Sequence, residues 1–203
     1  MSNRSPFLAI AICLLFTVAC KKSNHSGNSG PNPLTGTSWK FDGETTKADI
    51  TSTASIGPIS VTVINLINFQ TLNNVGSFTF TADSLGLVGV GYTIDTTYTS
   101  ITSSGGITDT LVSPFTDTAK PLNTSVTYQL IGQDSIYFPN GSPFKLNVDS
   151  IQPPIQLSGA HFTISGSTLT FTSSINLSGN ETIHGITAPT TGPITSVITL
   201  TKQ

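Results

Sequence analysis

The sequence predicts an all-β domain, and three observations carry that expectation. Apolar residues recur at every second position, the period of a half-buried strand. Glycine- and asparagine-containing turn signals punctuate these runs at short intervals. Threonine, whose branched Cβ suits a pleated surface, fills the positions between the apolar ones. Short strands at this spacing point to a two-sheet β-sandwich or a single antiparallel barrel. No internal repeat is evident, which argues against a propeller or a solenoid.

The chain begins with a different kind of element. Phe7 to Ala19 is apolar except for Thr17, and Arg4 is the only positive side chain ahead of Lys21. As a helix this run would span roughly 20 Å, against a hydrocarbon core of about 30 Å. It is too short to cross a membrane and has the length of a signal-peptide core. Small Ala19 then precedes Cys20. Val18, Ala19 and Cys20 resemble a bacterial lipoprotein signal. That resemblance implies removal of residues 1–19, a diacylglyceryl thioether on Cys20, and a palmitate-type acyl chain on the new amino terminus. Two or more such chains attach a protein stably where one would be marginal. Ordinary secretion and an uncleaved anchor are the alternatives. Residues 20–33 form a tether: Lys21 to Pro33 is rich in Ser, Asn, Gly and Pro and cannot bury enough surface to fold. As a flexible coil it reaches about 20 Å.

Residues 34–203 are expected to fold as one domain. They contain no cysteine and no arginine, so an exported chain must rely on its core rather than on disulfides. Five lysines against ten carboxylates give a net charge of −5, which removes the basic face that nucleic-acid binding needs.

The strands follow in order. "TSWKF" opens the domain, with Trp39 and Phe41 on one parity. "ISVTVINLINFQTL", Ile59 to Leu72, has a spacing that would also suit a short helix, but its β-branched start favours strand. Phe78 and Phe80 alternate with threonine. Val88, Val90, Tyr92, Ile94, Thr96 and Tyr98 share one parity and are expected on one face. Val126, Tyr128 and Leu130 repeat the pattern, as do Phe144, Leu146 and Val148. Ser165-Gly166-Ser167 is flanked by Phe162/Ile164 and Leu169/Phe171, the form of a tight hairpin. Ile194, Ile198 and Leu200 lie on one face of the last strand. Turns are expected at Asn73-Asn74, Ser104-Gly105-Gly106, Pro139-Asn140-Gly141, Ser158-Gly159 and Gly179-Asn180.

Leu34, Gly36, Trp39 and Phe41, with the hairpin "FTISGSTLTFT", resemble the lipocalin-like, META-type domains of Bacteroidota lipoproteins. The resemblance implies an eight-stranded barrel with a ligand-sized interior. On that basis Trp39, Phe78, Phe80, Tyr92 and Phe171 are candidate ligand-lining residues. The plainer expectation for Trp39 is a core residue that closes one barrel end.

Chemistry is sparse in the sequence. Glu181 and His184 would face opposite ways on a strand, and no set of residues has zinc-ligand spacing. Nucleophile elbows, calcium loops and phosphate-cradling loops are not found, so no catalytic residue, metal or cofactor is expected. Asp42 and Glu44 flank Gly43 as a weak carboxylate pair, better explained by a strand-end turn. One pattern exceeds its compositional background: six of the eight aspartates begin Asp-Ser/Thr-X with X one of Ala, Ile, Leu or Thr. It resembles the O-glycosylation signal of exported Bacteroidota proteins, which would place glycans on Ser84, Thr96, Thr110, Thr118, Ser135 and Ser150. The alternative is that Asp-Ser/Thr simply starts strands.

The functional expectation is a non-catalytic envelope lipoprotein held to the outer membrane by its lipid, on the periplasmic face or the surface. It would bind a small apolar or amphipathic ligand in its barrel. The alternative is a structural or adhesion-type module that meets glycans or proteins.

Overall fold

A computed structural model describes residues 31–143, 145–146, 151–152, 155–156, 158–183 and 186–203. The signal, Cys20 and most of the tether lie outside these residues. So do Phe144, Val148, Ser150 and His184.

The described chain is all-β. In order the strands are β1 (Thr37–Ile56), β2 (Ile59–Gln70), β3 (Leu72–Phe80), β4 (Ser84–Ser104), β5 (Ile107–Thr127), β6 (Gln129–Ile131) and β7 (Ser135–Tyr137). They continue with β8 (Lys145–Leu146), β9 (Ile151–Gln152), β10 (Ile155–Gln156), β11 (Gly159–Ser165), β12 (Thr168–Ile183) and β13 (Ile186–Lys202). The ambiguous Ile59 run is strand, as its β-branched start predicts. Ser165 pairs with Thr168 across a tight turn at Gly166, so that hairpin also forms as expected.

Antiparallel pairing closes these strands into a barrel. The path runs β4-β3-β1-β13-β12-β11-β7-β6, and β5 pairs with β4. Only Tyr128 separates β5 from β6, so one continuous stave meets β4 at Ser84↔Thr127 and β7 at Gln129↔Tyr137. That stave closes the ring. β2 and β3 likewise form one stave interrupted at Thr71, because β4 meets both in nearly continuous register, Ile67↔Tyr98 and Leu72↔Thr93. Counting each interrupted pair once gives eight staves: β1, β2/β3, β4, β5/β6, β7, β11, β12 and β13.

Several strands are far longer than the turn signals suggested. β1 has 20 residues and β4 and β5 have 21 each. Asn73-Asn74 and Gly179-Asn180 do not turn the chain but lie inside β3 and β12. Runs of Ser and Thr supply no chain reversal, so the strands continue through them. The expected single face from Val88 to Tyr98 also fails at its first member. Gly89, at φ 61°, places a bulge there, leaving Val88 51% exposed and Val90 buried at 8%. An extra residue inverts the alternation on one side of it.

The core sits at one end, the base. Trp39, Phe41, Phe78, Phe80, Leu85, Phe162, Phe171 and Leu200 belong to one buried cluster of 16 residues. Phe80 stacks on Phe171 at 6.0 Å between centroids and meets Tyr128 edge-on at 5.9 Å. Each such pair adds about 0.5–1.5 kcal/mol beyond its buried area. The chain enters here. Leu34 is fully buried as a plug, and Asn32 reaches across it to donate from Nδ2 to the Tyr128 hydroxyl at 2.8 Å. Tyr128 in turn donates to the Thr81 carbonyl at 2.8 Å. Trp39 donates through Nε1 to Thr37 Oγ1 at 2.8 Å and packs as the plain end-closing residue.

From this base β1 rises for about 60 Å at the usual strand pitch. Among the described residues, the upper part of β5, residues 107–119, has no strand partner on its outer side. Pro114, Asp109 and Asp117 lie along that edge, and proline and charge both discourage edge-to-edge pairing. Replacing the plug, Leu34→Ala, is expected to cost about 2–5 kcal/mol of stability, measured by chemical unfolding.

Candidate functional site: the barrel interior

A bulge on β1 sets the interior chemistry. The β1–β13 register shifts between Phe41 and Gly43, and Gly43 has φ 153°. Without the bulge Asp42 and Glu44 would share a face. With it they part. Asp42 points outward, accepting from Thr201 Oγ1 and lying 3.6 Å from Lys40 Nζ. Glu44 turns inward, where its Oε1 accepts from Ser196 Oγ at 2.6 Å and Thr46 Oγ1 at 3.0 Å. The pair is therefore not a strand-end turn, and its two members do not act together. A glycine inside a strand pattern was the available signal.

Thr71 completes this shelf from the next stave. It is buried, and its Oγ1 accepts from the Glu44 N–H at 2.8 Å while its own N–H donates to the Glu44 carbonyl at 2.9 Å. The side chain thus replaces a ladder bond at the gap between β2 and β3. Ser173 lies beside Ser196 across the β12–β13 pair and donates to the Gly159 carbonyl at 2.8 Å. Above the shelf is a smaller apolar cluster of Ala48, Ile50 and Ile194. The interior is layered: aromatic base, hydroxyl-and-carboxylate shelf, small aliphatic layer.

Tyr92 borders the shelf from β4, with its ring 6.2 Å from that of Phe41. Burial, then the nearby charges of Glu44 and Asp117, push its hydroxyl up to about 12 from the usual 10.0. Tyr128 is also raised, chiefly by burial and partly offset by its bond from Asn32.

The five candidate ligand-lining residues, Trp39, Phe78, Phe80, Tyr92 and Phe171, do converge in the interior. Their side chains fill the volume they share. The void beside them, lined by Leu85, Phe138, Ala160, Phe171, Ser173, Ser196 and Ile198, measures about 10 Å³. That is room for about one water molecule. Ser196 is close to a carboxylate, but it is 5% exposed and that same oxygen already serves Thr46. The arrangement fixes Glu44 in place and does not present a nucleophile. Among the described residues no three potential metal ligands converge. His161 lies on the outside, 3.6 Å from Asp134.

The glycosylation candidates divide by environment. Thr110 and Thr118 are exposed on β5, with their backbone N–H groups held by Asp109 and Asp117 at 2.9 and 2.7 Å. Thr96 is half-buried and donates to the Asn68 carbonyl at 3.1 Å. Ser84 is 2.6 Å from Thr81 Oγ1, and Ser135 donates to Asp134 at 3.2 Å. Ser84 and Ser135 begin strands, whereas Thr96, Thr110 and Thr118 sit within them, so strand initiation does not explain the pattern at those three.

No family model, curated protein or solved structure matches the chain.

A raised phenol pKa favours the neutral form in the folded state. The stability it provides is intact below pH 10 and is lost as pH rises toward about 12. Denaturant midpoints measured across that interval should fall, and Tyr92→Phe should flatten part of the fall.

Proposed function

We propose that this protein is a lipid-anchored, non-catalytic module of the cell envelope that holds an interaction surface away from the membrane. The observation that supports the reading is the direction of the chain. The described chain enters the barrel at its plugged base, through Asn32 and Leu34, and the long hairpins run away from that base. A tether from Cys20 would orient the base toward the bilayer and the hairpin turns at 57–58 and 105–106 away from it.

The charge pattern fits that orientation. Residues 50–69 and 186–196 contain no charged side chain, and residues 96–116 contain only Asp109. The distal half therefore offers hydroxyls with scattered aliphatic groups such as Ile59, Ile107, Leu111 and Val112. Such a surface suits an uncharged glycan or an apolar protein patch better than a charged partner. The outer membrane is the proposed location, on either face.

The resemblance to lipocalin-like domains supports a second reading, a small apolar or amphipathic ligand within the barrel. A void of about 10 Å³ requires the base core to open before a ligand can enter. Native mass spectrometry after gentle extraction distinguishes the two: a bound small molecule favours the ligand reading, and an empty barrel favours display.

Two outcomes are expected in the native host. Wild-type protein should fractionate with membranes at the mass of residues 20–203 plus a lipid increment, and Cys20→Ala should leave the membrane fraction. Wild-type protein that keeps residues 1–19 with a bare Cys20 would overturn the anchor. If hydroxyl glycans are attached, peptide mapping should find them on Thr110 and Thr118 ahead of Thr96, which a sugar transferase reaches less readily.

A further inference from the structure

The barrel wall is regular on one side and broken on the other. β12 and β13 pair without a shift over 16 consecutive positions, Thr168↔Thr201 to Ile183↔Ile186. Across β1 to β5, by contrast, the register breaks on every strand at one height. β1 shifts between Phe41 and Gly43. The neighbouring stave is interrupted at Thr71, and β3 shifts against β4 between Leu72 and Val75 and again between Val75 and Ser77. β4 and β5 shift between Leu87 and Val90 and between Val90 and Tyr92.

These breaks touch one another. A Cβ at Gly43 would lie 2.9 Å from Asn74 Nδ2. One at Gly76 would lie 2.4 Å from the Gly89 carbonyl oxygen, and one at Gly91 would lie 2.9 Å from that of Ala119. The irregularities therefore form one continuous seam of close contacts, side chain at Gly43 and backbone at Gly76 and Gly91, across four adjacent staves. Asn74 fastens it: its Nδ2 donates to the Asp42 carbonyl at 2.7 Å and the Thr71 carbonyl at 3.2 Å. Its Oδ1 is the one buried side-chain polar atom without a partner among the described residues.

We infer that this seam is a hinge, on which the upper blade of β2, β4 and β5, still laddered through β1 to β13, swings outward at its β5 margin while the base stays closed. Bulges interrupt ladder bonds and let a strand bend, and a hinge needs only a few residues that absorb backbone rotation. The two halves are also unequally held. The base buries 16 residues in one cluster, whereas the upper cluster buries three, with Ala54, Phe69, Ile94 and Ala188 buried outside both and Phe69 meeting Phe115 at 6.5 Å. Units with few buried apolar contacts open before the whole molecule does. Among the described residues β4 alone pairs with β5 above the seam, so the far margin of the blade is held from one side only. Flaring would part Phe69 and Phe115 from the interior and open the space above the Glu44 shelf.

Hydrogen exchange on the full chain in detergent tests this. Amides of residues 59–70, 93–104 and 107–118 should exchange in a separate phase, at least about tenfold faster than those of 168–177 and 194–202. Asn74→Ala should speed the blade phase and leave the base and spine unchanged. A single common rate for all these segments would overturn the hinge, as would an Asn74→Ala effect spread equally over both halves. Should that variant fail to accumulate, the wild-type profile decides, together with Thr71→Val. That change keeps the side-chain shape, removes the bond from the Glu44 N–H, and should likewise act on the blade alone.

Discussion

The stack of Phe80 on Phe171, with Tyr128 set against its edge, is the contact on which the rest of the molecule depends. Phe80 ends β3, Phe171 belongs to β12, and Tyr128 is the residue at which one stave passes from β4 to β7. These three rings join opposite walls at the point where the sheet must meet itself. Without a filled base a sheet of this length would have two free edges and no reason to curl. Asn32 and Leu34 then seal the end through the Tyr128 hydroxyl, so the segment ahead of the first strand belongs to the fold.

Much of this base was legible in the sequence, because it is built from strict alternation. Phe78 and Phe80, Phe162 and Phe171, and Ile198 and Leu200 all point inward as their parity requires. Trp39 packs where an end-closing aromatic should. Closure through one continuous stave was not legible. Nothing local distinguishes Tyr128 from any other alternating aromatic, and the pairing of residues far apart in the chain leaves no periodic mark. Strand length is not legible for a related reason. Asparagine and glycine signal turns only when the chain has no better use for their backbone freedom, and Asn73, at φ 51°, spends it on a bulge instead.

The interior shelf shows how a single extra residue changes chemistry. Asp42 and Glu44 are two apart, so a regular strand would send both carboxylates to the same side. The bulge sends one to the threonine-rich exterior and the other to Ser196 and Thr46. A sequence pattern cannot assign such residues until the bulge is placed. Gly43 and its contact with Asn74 are long-range consequences of β3 lying alongside. The same reasoning separates the Asp-Ser/Thr sites. The threonine of the same dipeptide is exposed on β5 and half-buried on β4, because β4 has a stave on each side along its length and, among the described residues, β5 has only one over its upper part.

The pairing of β1 with β13, from Trp39↔Lys202 onward, bears on how the chain acquires its shape. Every other wall contact except β7 with β11 joins strands that are neighbours in sequence or nearly so, and those can form as the polypeptide emerges. The first strand, however, has one flank bare until the last strand arrives. Contacts of such wide sequence separation are slow to form and leave edges exposed in the meantime. A polypeptide crossing a membrane amino terminus first would therefore travel as an unsealed, half-wound ribbon. It would shut only after β13 emerged, which makes a holding factor at the exit most useful during that interval.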